Sequence, residues 1–239
     1  MDRLRTVLVT GASRGIGRAI CERLLSEGCR VIGVSRTVTP DDHHSELFTP
    51  LPLDLSDLDT LPQRLKETCR QHPGIDAVIC NAGFGRFGSI EEFSAGQIQE
   101  LVDLNLTSQI LIAREFIPAL KKAGGGDFIL MGSEAALSGG KKGAVYSATK
   151  FALRGLAQSL REECAASGVR VGIINPGMVQ SSFFDALDFA PGDGEENHLK
   201  PEDVAEAAWL MLSARPGAAI DEINLSPQKK VIQFGQGKK

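Results

Sequence analysis

The order of its apolar segments constrains this chain more than any other feature. Short β-branched runs alternate with longer stretches of helical period. The series starts at Thr6-Val7-Leu8-Val9-Thr10, passes into a helix pattern from about 15 to 27, and returns to Arg30-Val31-Ile32-Gly33-Val34. A short run at Leu51-Pro52-Leu53 leads to a helix near 58–70, the strand Ala77-Val78-Ile79-Cys80 and a long helix near 97–122. A strand at 127–131, a long helix near 143–167, a strand at 170–174, a helix from about 202 to 213 and a strand around 220–225 complete it. Strands separated by helices of ten or more residues indicate βαβ units, and so an α/β fold whose parallel sheet carries helices on both faces. No internal repeat or composition shift divides the 239 residues, so one domain spanning 1–239 is expected.

Two stretches break the rhythm. Pro40–Glu46 is polar, and Gln180–Lys200 mixes Phe183, Phe184, Leu187 and Phe189 with Pro191, Gly192 and several acids. Long loops without strands of their own are often lids or disordered segments. A purely solvated loop would not need three Phe, so the second stretch reads as a substrate lid.

Charge and cysteine usage narrow the partners. The 26 basic and 30 acidic residues are interspersed and sum to −4, so no large field would draw in nucleic acid or a membrane surface. Small molecules are the expected ligands. Five cysteines form no C-x-x-C pair and no cluster with histidine, which argues against a disulfide framework and against a metal site. A reducing cytoplasm suits them. Met1-Asp2-Arg3-Leu4-Arg5 runs directly into the first strand, which leaves no room for a signal peptide. No charge-free apolar stretch approaches the roughly 18 residues of a membrane span.

After the first strand comes Thr10-Gly11-Ala12-Ser13-Arg14-Gly15-Ile16-Gly17, opening into a helix. Glycines let a backbone turn tightly and approach a pyrophosphate, while the amides and dipole of the following helix favour negative charge. A tight strand-to-helix turn alone would also explain them; the context of strand before and helix after favours a nucleotide. An acid about 20 residues further on would accept the ribose 2′-hydroxyl of NAD, whereas arginine suits a 2′-phosphate. Here the second strand ends Val34-Ser35-Arg36-Thr37 without an acid, and Arg14 lies inside the turn. Arg14 and Arg36 with the hydroxyls of Ser13 and Ser35 make a phosphate cradle, which predicts NADP(H) over NAD(H). A lone Arg36 could simply be a surface residue at a strand end; a pair with the acid missing fits that account less well.

The chain holds a single tyrosine, and Tyr146-Ser147-Ala148-Thr149-Lys150 places it four residues before a lysine on one helix face. An ammonium beside a phenol favours the phenolate, lowering a pKa that starts near ~10 and suiting Tyr146 to general acid/base work. Ser133 follows the strand 127–131, near the carboxyl edge where open α/β sheets bind ligands.

Taken together, these residues resemble the classical short-chain dehydrogenase/reductase (SDR) family. The shared elements are Thr10–Gly17, Asn81-Ala82-Gly83, Asn105 in Asp103-Leu104-Asn105-Leu106, Ser133, the Tyr146/Lys150 pair and Asn175-Pro176-Gly177, in family order and spacing over nearly the whole chain. The resemblance implies a single-domain Rossmann fold with a doubly wound, seven-stranded parallel sheet, and a catalytic tetrad of Asn105, Ser133, Tyr146 and Lys150. It further implies that Tyr146 protonates a carbonyl oxygen held by Ser133, that Lys150 binds the nicotinamide ribose, and that Asn105 supports a water-linked proton relay. Gly11, Ser13, Arg14, Gly15, Ile16 and Gly17 would contact the cofactor, as would Ser35 and Arg36. Asp54 and Leu55 would face the adenine, Asn81, Ala82 and Gly83 its ribose, and Pro176, Gly177 and Val179 the nicotinamide. Asp54 could instead cap a helix starting near Ser56. Cys80, where many members carry Asn, reads as a packed strand residue.

The resemblance makes the expected reaction a reversible, NADPH-dependent hydride transfer to a small or medium carbonyl compound, by a homodimer or homotetramer. The alternatives are a 3-oxoacyl-(acyl carrier protein) reductase, a sepiapterin-reductase-like enzyme or a 3-hydroxy-acid dehydrogenase. Against the first, the chain ends Asp221-Glu222-Ile223-Asn224-Leu225-Ser226-Pro227 and a basic tail, lacking a glycine-rich ending. A non-catalytic NADP-binding sensor is the alternative from another class. Phe84 and Phe87 could wall an apolar pocket or simply pack a loop, and Lys141-Lys142 could recruit an anionic substrate or be solvated.

Overall fold

A computed structural model describes residues 4–38 and 46–235. Residues 40–45 of the polar stretch and the first three residues lie outside the described part. Nine strands and six α-helices follow in chain order among the described residues: β1 (Thr6–Thr10), α1 (Gly15–Ser26), β2 (Arg30–Ser35), β3 (Phe48–Pro52), α2 (Leu61–Gln71), β4 (Ala77–Cys80), α3 (Ala95–Val102), α4 (Ser108–Lys122), β5 (Gly126–Met131), α5 (Ala144–Cys164), β6 (Val169–Pro176), β7 (Phe189–Pro191), α6 (Pro201–Ser213), β8 (Glu222–Leu225) and β9 (Ile232–Phe234). Seven strands form a parallel sheet in the order β3-β2-β1-β4-β5-β6-β8, the doubly wound Rossmann arrangement expected. The order reverses between β1 and β4, where Val7 pairs with Val31 on one side and Ala77 on the other.

Period-two alternation on the buried strands supplies the two halves of the core. Val7, Val9, Val31, Ile79 and Ile129 pack on one face with Ile20 and Leu24 of α1 and Val204, Ala208 and Met211 of α6. Leu8, Ile32, Val78, Phe128 and Leu130 point the other way, onto α2, α4 and α5 through Leu61, Ile112, Phe116 and Leu153. Cys80 belongs to that second face and is buried, as a packed residue should be.

Four boundaries differ from expectation. The strand predicted at 51–53 begins at Phe48, because its register is dictated by β2, with Val31 facing Phe48 and Ser35 facing Pro52. The helix predicted near 58–70 starts at Leu61, with Pro62 in its first turn, where a missing amide costs nothing. The long helix near 97–122 is three pieces. Ser94 caps α3 reciprocally with Gln97, a π-turn occupies Asp103–Thr107, and α4 continues from Ser108. The lid stretch 180–200, read as strandless, contains β7, which pairs antiparallel with β9 near the chain end. That pairing links residues some 40 positions apart and left no local signal.

Candidate active site

The loops at the carboxyl ends of β1, β4, β5 and β6 converge, and side chains tie them together. Thr10 closes β1: its Oγ1 accepts from the amides of Asn81 (2.9 Å) and Ala82 (3.0 Å), while Asn81 Nδ2 donates to the Thr10 carbonyl (3.0 Å). Sequence reasoning placed Thr10 in the glycine-turn motif but gave it no role of its own. Gly11 has φ +71°, and a Cβ on Gly17 would lie 2.1 Å from the Gly11 carbonyl oxygen, so the turn closes only with glycine at both positions. The Ala12 amide donates to Val34 O at 3.1 Å, holding the turn against the end of β2.

This arrangement fits a dinucleotide phosphate on two observations. Arg14 precedes α1 in extended conformation, its side chain makes no capping hydrogen bond, and no acid occupies the first turn, so no acidic side chain there competes with an outside anion. Ser35 Oγ is buried without a hydrogen-bond partner among the described residues, directly before the exposed Arg36. Asp54, at the end of the neighbouring loop, accepts from both the amide and the hydroxyl of Ser56 (2.9 and 2.6 Å). Those bonds and the nearby Arg36 charge hold its carboxyl below the ordinary range. It therefore forms a local turn and does not cap α2, which starts seven residues later. Leu55 and Val179 bury their side chains in the core, leaving only backbone for any ligand.

The four polar residues of the expected tetrad gather at one place. Asn105 sits in the π-turn between α3 and α4, where the widened helix turns its amide inward. Its Oδ1 accepts from the Phe84 amide (3.0 Å) and its Nδ2 donates to the Phe84 carbonyl (2.8 Å). Lys150 Nζ donates to the Met131 carbonyl at 2.9 Å and lies 5.7 Å from the centre of the Tyr146 ring. Ser133 leaves β5 in extended conformation, accepts from the Ala135 amide at 3.1 Å, and its hydroxyl is near enough to Tyr146 to oppose the effect of burial on the phenol. Gly83 opposes Asn105, since a Cβ there would come within 3.0 Å of Oδ1 and 3.9 Å of Lys150 Nζ.

Electrostatics depart from the simple phenol–ammonium expectation. Burial pushes the Tyr146 phenol up to about 12; the hydrogen bond from Ser133 opposes this and the Glu134 charge adds to it. Burial pushes Lys150 down to about 8. Desolvation is the largest cause for both groups, and the Lys150 ammonium is directed at the Met131 carbonyl. Burial therefore favours the neutral phenol.

Aromatic rings wall the phenol. Phe87 lies 5.1 Å and Phe183 6.1 Å from Tyr146 between ring centres, and Phe189 packs edge-on to Phe87 at 5.0 Å. Phe87 packs directly on the Tyr146 ring, and Phe84 packs against the same cluster under the Arg86 guanidinium.

The family model for short chain dehydrogenases matches residues 5–189. The chain belongs to the short-chain dehydrogenase family. It is an oxidoreductase of that family, 30% identical over 250 residues to mouse dehydrogenase/reductase SDR family member 11, with 96% of each chain covered. An uncharacterised oxidoreductase of Staphylococcus epidermidis is 29% identical over 227 residues, 93% of this chain and 97% of that one. The alcohol dehydrogenase of the archaeon Thermococcus sibiricus, solved with 5-hydroxy-NADP, superposes with a TM-score of 0.83 at 26% identity, covering 96% and 99% of the two chains. Among the described residues this short-chain dehydrogenase has no group of metal-ligating side chains, and no helix long and apolar enough to cross a membrane.

Proposed function

We propose that the protein is an NADPH-dependent carbonyl reductase with Tyr146 as its general acid. The observation that carries this reading is geometric: a buried phenol and a buried lysine lie together, Lys150 Nζ 5.7 Å from the Tyr146 ring centre, with Gly83 and Asn105 opposite the lysine, at the carboxyl edge of the sheet next to the glycine turn. The NADP complex of the Thermococcus relative supports the choice of cofactor, as do Arg14, Arg36 and the partnerless Ser35 hydroxyl. When bound, the nicotinamide supplies hydride. Ser133 holds the substrate carbonyl oxygen, Tyr146 Oη delivers its proton to that oxygen, and Lys150 binds the ribose hydroxyls. Asn105, anchored at both ends to Phe84, supports a water-linked path that returns a proton toward Lys150.

The 2′-phosphate of NADPH would lie between Arg14 and Arg36, the adenine beside Asp54, its ribose against Asn81, Ala82 and Gly83, and the nicotinamide over Pro176, Gly177 and the Val179 backbone. A second copy of the chain would cover the outer faces of α4 and α5, which expose Ile110 (42%) and Phe151 (43%). A Tyr146→Phe variant tests the assignment. Followed by NADPH absorbance at 340 nm against a panel of carbonyl compounds, it should lose at least a hundredfold in kcat with NADPH affinity retained; activity within threefold of wild type refutes it. Tight NADPH binding without turnover on any carbonyl would instead favour a sensor.

A further inference from the structure

The segment 228–235 bridges the lid stretch and the loop that follows Ser133. On the lid side, β9 pairs with β7, Phe234 opposite Phe189 and Ile232 opposite Pro191. The flanking amides extend the contact: Gly235 donates to Asp188 O (2.9 Å), Gly192 to Val231 O (3.0 Å) and Lys229 to Glu196 O (2.8 Å). Lys229 also pairs with the Glu196 carboxylate at 3.3 Å. On the catalytic side, Lys230 Nζ lies 2.8 Å from Glu134 Oε2, and Glu134 is the residue after Ser133. A line of ring contacts then runs inward from Phe234 to Phe189 (6.4 Å), to Phe87 and to Tyr146.

Two physical consequences follow. Tyr146 is only 7% exposed, with Phe87 and the lid residue Phe183 packed on its ring, and any opening of the lid must carry or break β9. Lys230 also pairs with a carboxylate whose Oε2 stands 3.6 Å from where a side chain on Gly177 would begin. Without Lys230 that acid would add an unpaired negative charge to an aromatic-walled space, favouring polar substrates over flat apolar ones.

We propose that residues 228–235 are a specificity-determining strap: they hold Phe189 on Phe87 and cancel the Glu134 charge, selecting carbonyl compounds that carry a flat apolar group. This rests on the carbonyl-reductase reading of the site. The test compares full-length protein with a chain ending at Pro227 and with Lys230→Ala and Phe234→Ala, using 1-phenyl-1,2-propanedione and 2,3-butanedione as aromatic and aliphatic probes. The ratio of their kcat/KM values should fall at least tenfold on truncation and severalfold in each point variant, with the NADPH dissociation constant within twofold. Amide hydrogen exchange of residues 188–192 provides a readout without turnover, and should quicken at least tenfold in the truncated chain. An unchanged ratio in variants that still bind NADPH overturns the specificity role, and unchanged exchange overturns the mechanical coupling. No turnover of either probe by the full-length protein overturns the underlying reaction instead, while the exchange measurement still decides the coupling. If the truncated chain does not fold, the two point variants decide both questions by the same measurements.

Discussion

Replacing Lys150 with Met should make the folded protein more stable while disabling it. Lys150 is 5% exposed as a residue, and its ammonium has one described hydrogen bond, to the Met131 carbonyl. Burial holds its pKa near 8 against an ordinary 10.5. At about 1.4 kcal/mol per pH unit, keeping that charge in the folded state costs roughly 3 kcal/mol at neutral pH. Losing the hydrogen bond gives back about 1 kcal/mol, and the unbranched Met fills the volume of the lysine stem. The net gain of about 2 kcal/mol corresponds to a Tm roughly 4–8 °C higher for a chain of this size. The sign with pH is fixed by the direction of the shift. A group whose folded pKa is depressed stabilises above its unfolded value and loses that contribution as pH falls through the folded one. Wild type should therefore close the gap on the variant as pH rises from 8 to about 10.5. Thermal unfolding of the cofactor-free protein at pH 6, 7, 8 and 9.5, monitored by circular dichroism, measures this directly. A variant no more stable than wild type at pH 6, or a gap that widens with pH, would refute the reasoning. Carbonyl reduction should fall at least a hundredfold in the same variant, the expected cost of stabilising a functional position that burial makes unfavourable.

The lone tyrosine makes its ionisation visible without background. Ultraviolet absorbance at 295 nm should show no phenolate in the folded, cofactor-free protein at pH 10, where an ordinary tyrosine is half ionised, since burial moves Tyr146 to about 12; a midpoint at or below 10 would contradict the burial argument. Converting Arg14 and Arg36 together to Ala should raise the Michaelis constant for NADPH at least tenfold and leave that for NADH within threefold, measured by steady-state kinetics. Equal losses for both cofactors would remove the 2′-phosphate from that cradle. Gly17→Ala places a methyl group 2.1 Å from the Gly11 carbonyl oxygen, and the turn must open to admit it. Calorimetric NADPH affinity should drop at least tenfold, at a stability cost of about 1–3 kcal/mol. Size-exclusion chromatography with light scattering should find at least a dimer, and Phe151→Glu should shift it toward monomer.

Much of this molecule was legible before any coordinates. Alternation of β-branched runs with helical periods dictated a parallel sheet, because buried strands are apolar on both faces and their crossovers must be helices. Tyr146 and Lys150 shared a helix face by spacing alone, and Gly11 and Gly17 marked a turn that no side chain could enter. Tertiary structure decided what depends on distant neighbours. The register of β3 came from β2, and the π-turn that aims Asn105 at Phe84 is a local departure inside an otherwise helical pattern. Desolvation, the largest influence on Tyr146 and Lys150, belongs to everything packed around a group and not to its sequence neighbours. The strap was beyond reach for the same reason: three residues near the chain end have no periodicity to betray a partner some 40 positions away, and only folding brings Phe234 to Phe189.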